Sequence, residues 1–149
     1  MTEPCQVDFY LLSTPGLDAR RMACRLALMS WERGHRTTVV TDTDAAAGKI
    51  DALMWESPRD RFLPHELADP DGTGCAPVVI TPIDRLNDES PATSDVVINL
   101  CSQPIPRPAQ FARLLEIVPQ EKEAREACRD KFRYYRSQGI SPATHEINK

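Results

Sequence analysis

The chain has 149 residues, of which 41% are hydrophobic and 27% charged, a composition that fits one soluble globular domain and excludes a disordered chain. With 18 basic and 22 acidic residues the net charge is −4, which excludes a basic field spread over the whole molecule for gripping nucleic acid. No apolar run approaches the ~20 residues that span a bilayer, and the first ten residues lack a basic stretch followed by an apolar one. The expectation is a cytoplasmic domain with no membrane partner.

In chain order, Val7-Asp-Phe-Tyr-Leu-Leu12 is a β-rich run that ends at the turn Ser13-Thr-Pro-Gly16. A helix follows, because Met22, Leu26 and Met29 recur at helical spacing and Ala23, Ala27 and Ser30 widen that face. Arg33-Gly34 stops it, a cation at the negative end and then a residue free to take positive φ. Arg36-Thr-Thr-Val-Val-Thr41 predicts a second strand. Asp42 and Asp44 read as the cap and first-turn acid of a second helix that runs to about Trp55 and stops at Ser57-Pro58. Strand, helix, strand, helix is the pattern of parallel βαβ units.

Residues 69–74 read as a loop, and residues 82–91 as a polar excursion between two short buried strands, Pro77–Thr81 and Asp95–Leu100. Ala109–Val118 reads as a short helix. Pro119 can open the last helix, which continues to about Ser137 and closes at Gly139. From about residue 141 the chain reads as a polar tail. The expected fold is a single α/β domain over residues 1–149, a three-layer sandwich around one mostly parallel sheet.

The usual chemical motifs are weak. The first β-to-α turn has one glycine, where dinucleotide and phosphate loops need several for backbone amides to converge on phosphate, and Asp18 would repel the anion. There is no Gly-x-Ser-x-Gly elbow. The five cysteines (Cys5, Cys24, Cys75, Cys101, Cys128) and three histidines (His35, His65, His145) are scattered, with no Cys-x-x-Cys pair, so neither a metal site nor a disulfide framework is expected. His65, between Pro64 and Glu66, is the most enzyme-like histidine, although an ordinary hydrogen-bonded loop residue is the favoured reading.

The last helix carries more information. Residues 1–119 hold 11 basic and 17 acidic groups, net −6, whereas residues 120–149 hold 7 and 5, net +2. At about 100° per residue, Arg125, Arg129, Phe132, Arg133 and Arg136 fall within an arc of roughly 100°. Ala124, Ala127, Cys128, Tyr134 and Tyr135 lie mostly on the other side and should face the sheet, leaving four arginines around an exposed aromatic ring. Two readings fit: a solvated face relieved by Glu121, Glu126 and Asp130, or a dock for an acidic peptide with an apolar end. Single-stranded nucleic acid would use similar residues. A second patch, Trp55, Phe62, Leu63, Pro64 and Leu67, reads either as core or as a protein anchor.

Taken in order, Val7–Leu12, Trp31-Glu-Arg-Gly-His-Arg36, Asp51-Ala-Leu-Met-Trp55, Phe62-Leu-Pro-His-Glu-Leu67, Gly74-Cys-Ala-Pro-Val78, Val118-Pro119 and Arg129-Asp-Lys-Phe-Arg-Tyr-Tyr-Arg136 resemble the chi subunit family of bacterial DNA polymerase III over nearly the whole chain. The resemblance implies a Rossmann-like fold without a nucleotide-binding loop, no catalytic activity, no cofactor and no metal. It implies an adaptor that links the clamp loader, through the psi subunit, to the acidic C-terminal tail of single-stranded DNA-binding protein, with nucleic acid contacted mainly indirectly. It further implies a monomer that pairs with psi. The tail site it implies is Arg129, Phe132 and Arg133 with Val118 nearby, to which the helical face adds Arg125 and Arg136. The psi site it implies is Trp55 and Phe62, with Pro64 and His65 beside them. Here Phe132 and Arg133 stand where other members can carry Tyr and Lys, which keeps the ring and the charge but loses a phenol hydrogen bond. The alternatives are a small α/β nucleotide-binding or hydrolytic enzyme, and a direct single-stranded nucleic-acid binder.

Overall fold

The computed structural model describes residues 5–13, 18–56, 63–68, 76–86, 95–106, 108 and 111–147. Several sequence expectations lie outside these residues: the turn at 14–17, the helix stop Ser57-Pro58, Phe62, the loop at 69–74, Cys75 and the excursion beyond residue 86.

The order of elements is β1 (Gln6–Leu12), α1 (Ala19–Glu32), β2 (Thr37–Thr41), α2 (Asp44–Glu56), β3 (His65–Leu67), β4 (Val78–Pro82), a 3₁₀ turn (Ile83–Arg85), β5 (Val96–Asn99), β6 (Arg113–Val118), α3 (Lys122–Ser137) and β7 (Ala143–Ile147). The strands form one seven-stranded sheet in the order β3-β4-β2-β5-β6-β1-β7. Every pairing is parallel, where the sequence predicted a mostly parallel sheet.

The sheet separates two cores. Leu12, Val39, Ile80, Ile98, Leu115 and Ile117 pack with the inner faces of α1 and α2. Val7, Phe9, Val40, Val97, Leu114 and Val118 face α3 through Tyr135. Because side chains alternate across a strand, one apolar run supplies both cores, which is why the strands read as continuous hydrophobic segments. Asp18 caps α1 by accepting from the Arg20 amide at 2.9 Å. Gly34 and Gly139, at φ of 85° and 82°, end α1 and α3 in the left-handed conformation that glycine takes without strain. No helix among the described residues is long and apolar enough to cross a membrane.

The structure corrects four expectations. The segment read as a helix over Ala109–Val118 contains strand β6, in which Leu114, Glu116 and Val118 face α3 while Leu115 and Ile117 face α1 and α2. Burial on both faces and β-branched Ile117 and Val118 favour the strand over the helical propensity of Ala, Leu and Glu. The polar tail contains β7, which pairs with β1 from Asp8↔Ala143 to Leu12↔Ile147. Its residues are mostly exposed because it is an edge strand. Pro119 precedes α3 instead of opening it; the helix begins at Lys122, after Glu121. Finally, Thr43 and not Asp42 caps α2, accepting from the Ala46 amide at 3.1 Å.

Candidate functional site

Helix α3 is fastened to the sheet by a buried polar network. Lys131 Nζ lies 2.9 Å from Glu116 Oε1, with the two side chains 6% and 0% exposed. The other carboxylate oxygen accepts from Asn99 Nδ2 at 2.8 Å and from the Tyr135 hydroxyl. Lys131 also donates to the Cys101 carbonyl, and the Tyr135 oxygen accepts from the Ile105 amide at 2.9 Å. Burial pushes the Glu116 carboxyl above the usual carboxylate range, while the Lys131 charge and the donors from Tyr135 and Asn99 pull the other way. Burial, joined by the Glu116 charge, likewise pushes the Tyr135 phenol up. These bonds fix the rotation of α3 about its own axis. Lys131, given no place on the helix from sequence, belongs to this buried face.

That rotation sets the outward face. Arg129, Arg133 and Arg136 are exposed. Arg133 reaches Asp130 only at 3.7 Å, with both side chains about four-fifths exposed, a pair of little energetic consequence. Arg125 is half-buried and donates to the Leu12 carbonyl at 3.1 Å, so it lies over the end of β1. Phe132 departs from the expectation of a solvent-exposed ring. It is half-buried, with its centroid 5.6 Å from that of Phe9 at 44°, and so forms the margin between core and arginine face. Val118 is 2% exposed at the end of β6, where it contributes backbone and floor, not surface. Gln120, which donates to the Ser13 carbonyl, was missed in the sequence; it ties the β6–α3 connection to the end of β1. A half-open apolar margin flanked by guanidinium groups can hold a carboxylate and an apolar side chain together.

The second patch is only partly a surface. Trp55 is 62% and Leu67 44% exposed, whereas Leu63 is 2% exposed. Pro64 is half-buried. The His65 side chain, expected beside the psi site, is fully buried. Its Nδ1 donates to the Leu63 carbonyl at 2.7 Å, and its ring centroid is 4.6 Å from that of Trp55. Nε2 comes within 3.3 Å of Asp51 Oδ1, but without the alignment of a hydrogen bond. His65 therefore supports the indole from beneath.

The cleft at the carboxyl ends of the strands, where open α/β sheets place their ligands, does not suit phosphate. A cavity of about 320 Å³ there is lined by three carboxylates, Asp42, Glu121 and Glu123, against one ammonium group, Lys131, which is already paired with Glu116. Burial works to raise the Asp42 carboxyl, but donors prevail and hold it below its ordinary value: the Ser102 amide at 3.1 Å, the Cys101 thiol at 3.1 Å and the Ser102 hydroxyl at 2.9 Å. Burial pushes the Cys101 thiol up to about 12 and Cys5 and Cys24 up to about 11, which makes them poor nucleophiles. Among the described residues no group of three His, Cys, Asp or Glu side chains could hold a metal ion.

Comparison with known proteins agrees with this layout. Across the whole chain the fold resembles a chain in a solved structure of S. cerevisiae dbp5 bound to nup159, gle1, IP6 and ADP, with a TM-score of 0.64 at 10% identity, spanning 44% of that longer chain. A dbp5 structure with gle1 and IP6 gives 0.63 at 11% identity, spanning 43%. At that identity the likeness concerns the fold alone. The chain is 33% identical over 143 residues to DNA polymerase III subunit chi of Pseudomonas aeruginosa, covering 95% of this chain and 96% of that one. It is 29% identical over 139 residues to the Escherichia coli subunit chi, covering 89% and 92%. A family model described as DNA polymerase III chi subunit, HolC, matches residues 5–143. The chain therefore belongs to the DNA polymerase III chi subunit family.

Proposed function

We propose that this chi-family protein is a non-catalytic adaptor of the replicative polymerase, joining the clamp loader, through the psi subunit, to the acidic C-terminal tail of single-stranded DNA-binding protein. The observation that carries the reading is the outward face of α3: exposed Arg129, Arg133 and Arg136 beside half-buried Phe132, with Arg125 over the end of β1. In the proposed complex the arginine forks hold tail carboxylates, and the terminal phenyl ring enters the margin between Phe132 and the strand ends. An exposed site of this kind supports micromolar affinity, about −8 kcal/mol, that weakens with salt because its charges are screened. Trp55, standing proud on the opposite helical layer, is the proposed anchor for psi, with His65 as its buried support; Phe62 and Pro64 are assigned to the same proposed site. The separation of the patches lets one molecule hold both partners. The test is a pull-down with the final residues of the cognate single-stranded DNA-binding protein. Retention of the wild-type chain and loss of Arg129→Ala supports the site; equal retention of both overturns it.

A further inference from the structure

A second basic surface lies on the other face of the sheet. Residues 18–36, which contain α1, hold five basic and two acidic groups, net +3 on a chain of net −4. Arg25, Met29 and Arg33 follow one another at i, i+4 spacing along one ridge of α1, and all three are exposed. Below that ridge a groove of about 380 Å³ runs between α1 and the strands, with Tyr10, Leu26, Met29 and Leu115 as its apolar lining and Arg33 and His35 at its edge. Met29 is 41% exposed, a large flexible apolar side chain left at a surface.

The charges here are unequally engaged. Arg113 is held by Asp8 at 3.1 Å and by the Tyr10 hydroxyl at 3.3 Å. The Asp95 carboxylate, the acid lining the groove, accepts from the Arg36 amide at 3.1 Å. Among the described residues, no ion pair or side-chain hydrogen bond engages the Arg25, Arg33 or His35 side chain. Two guanidinium groups on either side of an exposed methionine therefore face outward with their hydrogen-bonding capacity directed at solvent.

We infer that the groove between α1 and β1, β5 and β6 is a second docking surface, and that its occupant is an acidic protein segment carrying one apolar side chain. Arg25 and Arg33 take carboxylates in bidentate geometry, and the apolar side chain enters the groove against Leu26 and Met29. A nucleic-acid strand fits less well. One face of Tyr10 is already covered by the stacked His145 ring at 5.3 Å, which removes a platform for a base. The surface is separate from the proposed tail site on α3, so its test does not depend on that reading.

The experiment records amide shifts of the full isotope-labelled chain during titration with acetyl-Asp-Asp-Leu-Asp-Asp-amide, and in parallel with a short oligothymidylate. The expected result is saturable shifts at Leu26, Met29 and Arg33 that persist in Arg129→Glu and weaken about tenfold in Arg33→Glu and in Met29→Ser. Both substitutions are at exposed positions, and an unchanged thermal midpoint verifies the fold. Shifts confined to α3, no shifts at α1, unaltered binding by Arg33→Glu, or tighter binding of oligothymidylate at the same residues would each overturn the inference.

Discussion

Replacing Lys131 by methionine keeps most of the side-chain volume and removes only the ammonium group, which isolates the contribution of the buried pair under α3. In the native protein the ammonium lies 2.9 Å from a carboxylate with no solvent access. Two neutral donors, Asn99 and Tyr135, remain on that carboxylate after the change. Removing one partner of a buried pair costs about 3–5 kcal/mol, because the remaining charge must stay desolvated or take up a proton. For a domain of this size each kcal/mol lowers the midpoint by about 2–4 °C, so a drop on the order of 10 °C is expected. The pH dependence has a definite sign. Burial raises the folded-state Glu116 carboxyl, so the cost of ionising it is absent below the unfolded value of about 4.3 and grows as pH rises through the folded value. Lysine removal takes away the main opposing pull, so the deficit of Lys131→Met is larger at neutral pH than in mild acid. Adding Glu116→Gln removes the stranded charge and recovers part of the loss. Urea unfolding followed by circular dichroism, with comparable m-values, measures all of this. A deficit below about 1 kcal/mol, a deficit independent of pH, or a double variant no better than the single one would refute an ionised pair as the fastening of α3.

Trp55→Ala should impair co-purification with psi while sparing tail-peptide binding and leaving the unfolding midpoint close to wild type, because the indole is mostly exposed; loss of both partners in a folded protein would contradict two separate sites. Site-resolved alkylation with iodoacetamide at about pH 8 should leave Cys5 and Cys24 almost unmodified in the native protein, since a thiol near 11 is about one part in a thousand thiolate; rapid native labelling would place them in a different environment. Asp42→Asn should be less stable than wild type near neutral pH, with the difference fading in strong acid. The Asp42 carboxyl is lowered in the folded state, so its contribution is present above the unfolded value of about 3.9 and is lost as pH falls through the folded one. Urea midpoints at several pH values check this, and a difference that grows in acid would reverse the assignment.

The alternating β-α segments of the first half were legible because each strand is an apolar run bounded by turn residues or a glycine, as at Ser13-Thr-Pro-Gly16 and Gly34; the cap at Asp18 was not read from the sequence. Strand β6 was not. Its Leu-Leu-Glu-Ile-Val sequence has helical spacing, and an acid at position 116 argues against a strand until its partners Lys131, Tyr135 and Asn99 are known. Strand β7 has no apolar stripe, because an edge strand that is mostly exposed needs none; its backbone pairing with β1 and the contacts of His145 with Tyr10 and Asp8 define it. The arginine face of α3 was legible from the helical wheel, but the position of Phe132 on it was not. Lys131 shares the wheel's inner sector with Ala124, Cys128 and Tyr135, and that spacing was the available signal that it points inward and turns Phe132 toward Phe9. Exposure at Trp55 and burial at Leu63 and His65 depend on how β3 meets α2, which no local pattern encodes.

Calorimetric titration of the wild-type chain, Arg129→Ala and Phe132→Ala with the last residues of the cognate single-stranded DNA-binding protein addresses the proposed role of α3 most directly. Micromolar binding that weakens with added salt and is abolished in both variants is the predicted result, with Arg129→Ala as stable as wild type and Phe132→Ala less so because its ring packs on Phe9. Binding of equal strength in the wild type and a folded Arg129→Ala protein would contradict it.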